Sequence, residues 1–147
     1  MRTLFLSLLA AGAIALPAAA QTQAPQNGSH TDHIVFTYTG EVLPGQEEAF
    51  KQVASKVAAA VEQEPGTMAY EWSMRADGKT FDVVEIYRDS DAVVAHVKEV
   101  FSKFGGELGK TQKTLKMVVY GNPDAAARRA VEGLRPEYET PFAGFIR

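Results

Sequence analysis

Cysteine is absent from all 147 residues and tryptophan occurs once. The first absence removes disulfides, thiolate zinc sites, iron–sulfur clusters and cysteine nucleophiles together. Positive charge is also in short supply: 15 Lys and Arg stand against 18 Asp and Glu, with no long basic run. Nucleic-acid binding draws much of its affinity from Lys and Arg meeting phosphates, so no nucleic-acid partner is expected. No G-x-G-x-x-G follows a strand pattern, no P-loop is present, and the three histidines are not spaced with carboxylates as a metal cluster. A conventional redox cofactor therefore has no visible seat, and no metal site is expected. What remains is 46% hydrophobic and 22% charged residues, the composition of about one globular domain.

The first twenty residues read as a separate object. Arg2, the apolar stretch from Leu4 to Leu16, Pro17 and then Ala18-Ala19-Ala20 follow the pattern of a secretory signal peptide, with cleavage expected near Ala20. The apolar stretch is short for a bilayer span and Gly12 weakens it, so no stable membrane anchor is expected. Paired arginines and a lipid-bearing cysteine are both lacking, which leaves out the twin-arginine and lipoprotein routes. The expected location is secreted or periplasmic. Residues 21–32 are polar and include Pro25, Asn27 and Gly28, a composition that buries too little apolar surface to order itself, so a flexible leader is expected there. The folded domain is expected over 33–147.

Within that domain the hydrophobic period alternates between two and about three and a half. Ile34, Phe36 and Tyr38 share one side of a strand over 33–39, and Leu43-Pro44-Gly45 is a turn. Phe50, Val53, Val57 and Val61 mark a helix over 46–63, with Glu47 and Glu48 at its positive end and Pro65-Gly66 stopping it. Met68, Tyr70, Trp72 and Met74 then fall on one face of a strand; plain core packing is expected for the two methionines. Asp77-Gly78-Lys79 turns into a second strand over 80–88. Ser90 is expected to cap a second helix whose apolar stripe runs to Phe104, with Gly105-Gly106 breaking it and a short helical turn over 107–112. A strand over 115–120 follows. A third helix is expected to open at Asn122-Pro123 and close at Gly133, ahead of an edge strand or wrapping arm over 137–146.

The order β-α-β-β-α-β defines an α+β, ferredoxin-like antiparallel sheet with helices on one face. Both faces of the strands carry apolar residues, Val35 opposite Phe36 for example. The second face therefore needs a cover, most simply another copy of the chain, and a homodimer is expected.

Several segments carry a resemblance. Glu64-Pro65-Gly66-Thr67-Met68-Ala69-Tyr70-Glu71-Trp72, Val83-Val84-Glu85-Ile86-Tyr87, Ser90-Asp91-Ala92 with Ala95-His96-Val97, Val119-Tyr120-Gly121 and the closing Pro141-Phe142-Ala143-Gly144-Phe145 resemble the antibiotic biosynthesis monooxygenase family, including its quinol monooxygenase-like members. The resemblance implies a dimeric α+β barrel. It also implies oxygenation of a small aromatic or quinol substrate by dioxygen without metal, flavin or haem.

The residues themselves supply what such a reaction needs. A deprotonated phenol or anthrone can pass an electron to dioxygen, so the protein need provide only a base, a dry pocket and groups that steady negative charge. His96, beside the apolar stripe of the second helix, has the side chain suited to proton transfer near neutral pH. Glu85 sits mid-strand on the side of Phe81, Val83 and Tyr87, where a carboxylate is expensive unless paired; it reads as a base or orienter, or as an interface ion pair with Arg75 or Arg88. Tyr70 and Trp72 form an aromatic strip able to stack a planar substrate while offering a hydroxyl and an indole N–H. Phe101 is expected to line the same cavity, and Tyr38 is a further candidate from the first strand.

Two departures from the family pattern stand out. No second histidine lies about a helical turn beyond His96, and the region where the haem-degrading relatives carry a haem ligand holds Phe104-Gly105. His30 and His33, with Asp32 between them, read as solvated leader residues rather than ligands. Three classes remain open: a cofactor-independent monooxygenase, a non-catalytic dimeric module that binds a small apolar ligand, and a stress-response or structural dimer.

Overall fold

The computed structural model describes residues 33–146; the signal-peptide reading and the leader up to residue 32 lie outside the described residues. Strand β1 (Ile34–Val42) leads into helix α1 (Glu47–Val61) and the hairpin of β2 (Thr67–Met74) and β3 (Thr80–Tyr87). Helices α2 (Ser90–His96) and α3 (Ser102–Leu108) follow, joined by a π-helical turn over Val97–Phe101. Strand β4 (Gln112–Tyr120), helix α4 (Ala125–Val131), a 3₁₀ turn over Glu132–Leu134 and the short strand β5 (Glu137–Glu139) complete it. The sheet runs β2-β3-β1-β4-β5. Its first four strands pair antiparallel in the ferredoxin-like order, and β5 adds to the edge in parallel with β4.

Register, more than strand identity, sets up the interior. Phe36 faces Glu85, which faces Tyr70; Tyr38 faces Val83, which faces Trp72. Residues directly opposite on one sheet face lie side by side, so two rows of side chains point toward the helices. Helix α1 buries Phe50, Val53, Val57 and Val61 against this face, the four positions its spacing selects. The core divides into one cluster under α2 and α4 around Ile34, Phe36, Tyr87 and Val93, and another under α1 around Phe50, Phe81 and Val83. Tyr38 packs against both.

Some sequence expectations need correction. The cap of α2 is Asp89, not Ser90: its extended backbone brings Oδ1 to accept from the Ala92 N–H at 2.9 Å. The Ser90 hydroxyl instead accepts from the Asp124 N–H at 3.0 Å, tying the start of α4 to α2. Asp124, one residue past Pro123, caps α4 through Oδ1, which accepts from Ala126 and Ala127 N–H groups. Gly105-Gly106 does not break its helix, since α3 continues through both. An interior glycine weakens a helix by only about 1 kcal/mol relative to alanine, and Val100 and Leu108 are buried on either side. At position 105 an added Cβ would lie 3.1 Å from the Phe101 ring, which would have to give way by a few tenths of an ångström. Met68 and Met74 are not core, being 47% and 44% exposed. Met68 is the extra residue of a bulge in the β2–β3 pairing, and both methionines lie on the edge strand. Strands β1 and β4 are each longer than their alternation suggested, pairing as far as Val42 with Gln112.

The sheet face away from the helices carries Val35, Thr37, Val84 and Ile86, with Val84 42% exposed. At the end of the described chain Phe142 is 94% exposed. Among the described residues no helix is long and apolar enough to cross a membrane.

Candidate active site

Between the sheet and the α2–α3 segment lies a narrow cavity of about 60 Å³. All six residues singled out from the sequence border it: Tyr38 from β1, Tyr70 and Trp72 from β2, Glu85 from β3, His96 at the end of α2, and Phe101 at the end of the π-helical turn. The remaining wall is largely apolar, with Val57, Val97, Val100, Phe104 and Met117 among its residues. The π-helical turn begins immediately after His96. Such turns widen the helix by one residue and recur at functional sites; here the turn carries Val97, Val100 and Phe101 to the cavity wall.

His96 is only 6% exposed. Its Nδ1 lies 3.1 Å from Glu64 Oε2, and the same carboxylate oxygen accepts from the Thr67 hydroxyl at 2.6 Å. Glu64 Oε1 is buried with no hydrogen-bond partner among the described residues. The imidazole ring sits 5.4 Å from the Tyr87 ring and 6.0 Å from the Tyr70 ring, centroid to centroid. No hydrogen bond engages Nε2 among the described residues.

Glu85 makes neither of the ion pairs considered for it. Arg75 is committed to Asp82 through two 2.9 Å hydrogen bonds, and Arg88 to Asp89 at 2.9 Å. The Glu85 carboxylate instead accepts a short hydrogen bond from the Tyr87 hydroxyl. Burial raises its pKa above the ordinary 4.5; the charge of His96 and the Tyr87 hydroxyl pull it down, and Glu64 pushes it up again. Tyr87 and Tyr70 are both raised well above 10, burial first and the neighbouring Glu85 charge second. The phenols are thus held protonated as donors, and the carboxyl leans toward its neutral form.

Trp72 stacks on Phe81 with centroids 5.4 Å apart and meets Phe50 edge-on. Its buried Nε1–H is without an acceptor among the described residues. The Tyr38 hydroxyl is already occupied, donating to Gln112 Oε1 at 2.9 Å and sharing a 2.7 Å bond with the Thr114 hydroxyl. Tyr38 therefore offers the cavity its ring more than its hydroxyl, whose pKa is raised mainly by burial. Phe101, 37% exposed, reaches from the cavity to solvent.

Sequence reasoning missed Glu64, Thr67 and Tyr87. Tyr87 had a signal, since it lies two residues from Glu85 on one strand and so shares its face. Glu64 and Thr67 had none, because they flank a turn and meet His96 only through folding. Among the described residues no group of three His, Asp or Glu gathers as a metal would require.

The fold has known counterparts. Residues 33–101 match the family model of the antibiotic biosynthesis monooxygenases. The match ends with the π-helical turn, and α3, β4, α4 and β5 lie beyond the matched residues. The chain's fold is that of MupZ from Pseudomonas fluorescens, at 18% identity over 82% of this chain and 93% of that one, with a TM-score of 0.72. SnoaB, a cofactor-independent oxygenase from Streptomyces nogalater, is similar at 16% identity over 65% and 97% of the two chains, with a TM-score of 0.56. A candidate antibiotic biosynthesis monooxygenase from Caulobacter crescentus CB15 shares 27% identity over 59% of this chain and 84% of its own, with a TM-score of 0.52. No curated protein sequence matches the chain.

Proposed function

We propose that the protein is a monooxygenase that oxidises a small, electron-rich aromatic or quinol-type substrate with dioxygen, using its own side chains as base and charge stabilisers. The observation that carries this reading is the convergence of His96, Glu85, Tyr70 and Trp72 on one cavity. The match of residues 33–101 to the model of a monooxygenase family, and the likeness in fold to a cofactor-independent oxygenase, support it further.

His96 is the base. Its Nδ1 is taken by Glu64, so Nε2 removes the proton from a substrate hydroxyl. The resulting anion transfers one electron to dioxygen, and the superoxide and substrate radical join at a ring carbon as a peroxide. Loss of water then breaks the O–O bond: one oxygen stays on the ring as a carbonyl, and the other leaves with two hydrogens from the substrate. The Trp72 indole N–H is the donor available to the developing oxyanion, with the Glu85–Tyr87 hydrogen-bonded pair beside it, in a site dry enough to make such interactions strong. Tyr70, Trp72 and Phe101 hold the ring.

Cavity size narrows the substrate. About 60 Å³ is well under half of the roughly 150 Å³ that admits a benzene ring in an engineered cavity. A ring therefore enters when Phe101 swings toward solvent, and one ring is favoured over three. Export through the leader and pairing of two copies through the open sheet face belong to the same reading. The exposed Val84 and Phe142 support the second, and sedimentation equilibrium would test it.

Oxygen uptake with a panel of hydroquinones, phenols and anthrones tests the activity. A general base typically contributes 10²–10⁴-fold; His96→Ala is expected to lose about that much, and Phe101→Ala to shift the preference toward bulkier members. Absence of uptake across the panel, or equal rates for wild type, His96→Ala and Glu85→Gln, refutes the reading.

A further inference from the structure

We propose that Glu64, anchored by Thr67, is the positioning residue of the site: it fixes the tautomer and ring plane of His96 so that Nε2 is the nitrogen presented to the cavity. This rests on the reading of His96 as the base but is testable without substrate.

A neutral imidazole carries one proton, and the nitrogen that finds an acceptor keeps it. Nδ1 lies 3.1 Å from Glu64 Oε2, while Nε2 has no partner among the described residues. The proton therefore sits on Nδ1, and the lone pair is left on Nε2. Glu64 is itself held. Thr67 donates to the same oxygen at 2.6 Å, and the Thr67 N–H reaches the Glu64 carbonyl at 3.3 Å.

The turn between them brings the helix close. At Gly66 an added Cβ would stand 2.5 Å from the Ala92 Cβ, so glycine lets α2 settle directly on the turn. Glu64 does not border the cavity; it approaches the imidazole from behind. Its Oε1 is buried without a partner among the described residues, so the imidazole and the Thr67 hydroxyl are the groups that hold this carboxylate. A carboxylate behind an imidazole also steadies the imidazolium formed when Nε2 takes a proton.

Nitrogen-15 NMR of the imidazole rings reads the tautomer directly in the free protein, with His96→Asn used to assign the signal against His30 and His33. In wild type at alkaline pH, His96 is expected to be protonated on Nδ1. Glu64→Leu removes the acceptor and is expected to shift the proton to Nε2. Glu64→Gln keeps an acceptor oxygen and is expected to preserve the Nδ1–H form. Thr67→Val frees the carboxylate and is expected to broaden the signal without reversing it. If wild type active toward a panel substrate is compared with Glu64→Leu, kcat/KM is expected to fall at least tenfold, with Glu64→Gln recovering part of it. A wild-type ring protonated on Nε2, or a tautomer unchanged in Glu64→Leu, overturns the proposal. The wild-type spectrum alone decides this should the leucine variant fail to fold. Correct tautomers with no oxygen uptake in any arm would refute the monooxygenase reading while leaving the positioning role standing.

Discussion

Replacing Glu85 by leucine leaves the Tyr87 hydroxyl without its acceptor, at a residue with no exposed surface. A buried polar group stranded in this way costs about 1–3 kcal/mol, whereas removing both partners together is close to neutral. Glu85→Leu is therefore expected to be about 1–3 kcal/mol more destabilising beside Tyr87 than beside phenylalanine at that position, a difference of several degrees in Tm. The carboxyl adds a pH dependence whose sign follows from its raised pKa. Between the ordinary 4.5 and the higher folded value, the folded protein still holds a proton that the unfolded chain has released. Its contribution to stability is complete below 4.5 and declines as pH climbs through the folded value. Glu85→Gln keeps an acceptor for Tyr87 and has no proton to lose, so it should gain on wild type as pH rises. Urea unfolding followed by Trp72 fluorescence at stepped pH, on the two single variants, the double variant and Glu85→Gln, measures both effects. A coupling energy near zero, or a pH slope that survives in Glu85→Gln, would show that this pair is not the buried, proton-holding unit described above.

Two further outcomes are expected. Gly66→Ala drives a Cβ to 2.5 Å from the Ala92 Cβ and 3.2 Å from its Cα, so α2 must shift; a loss of about 1–3 kcal/mol typical of overpacking is expected, with oxygen uptake falling as His96 moves off Glu64, and Ala92→Gly restoring both. Full recovery of neither in the double variant would count against that contact. In the β2–β3 turn, the Thr80 hydroxyl and the Lys79 and Thr80 N–H groups hold Asp77 down from 3.8 to about 2. The stability it lends is present above 3.8 and lost as pH falls toward 2; acid unfolding of Asp77→Asn should lack that component, and an unchanged acid limb would contradict the assignment.

Much of the architecture is written in local pattern. The spacing of Phe50, Val53, Val57 and Val61 admits one helical face, and the alternation through Ile34, Phe36 and Tyr38 admits one strand face. These periods, with the Pro65-Gly66 stop and the Asp77-Gly78 turn, lead to the ferredoxin-like order. Capping was misread by one residue at Asp89 and two at Asp124, because neighbouring polar residues compete for the same role and only backbone direction chooses between them. The glycine pair at 105–106 misled because helix propensity is weak beside the burial of Val100 and Leu108.

The site divides along the same line. That Glu85 and His96 are costly residues in apolar surroundings could be read from the chain, since polarity and pattern are local properties. Which groups satisfy them could not. Tyr87 over Arg75 or Arg88 for Glu85, and Glu64 thirty-two positions away for His96, were decided when register placed Glu85 between Phe36 and Tyr70 and when α2 came to rest on Gly66. Hydrogen bonds and buried charges act over a few ångströms, and only the folded chain sets distances on that scale.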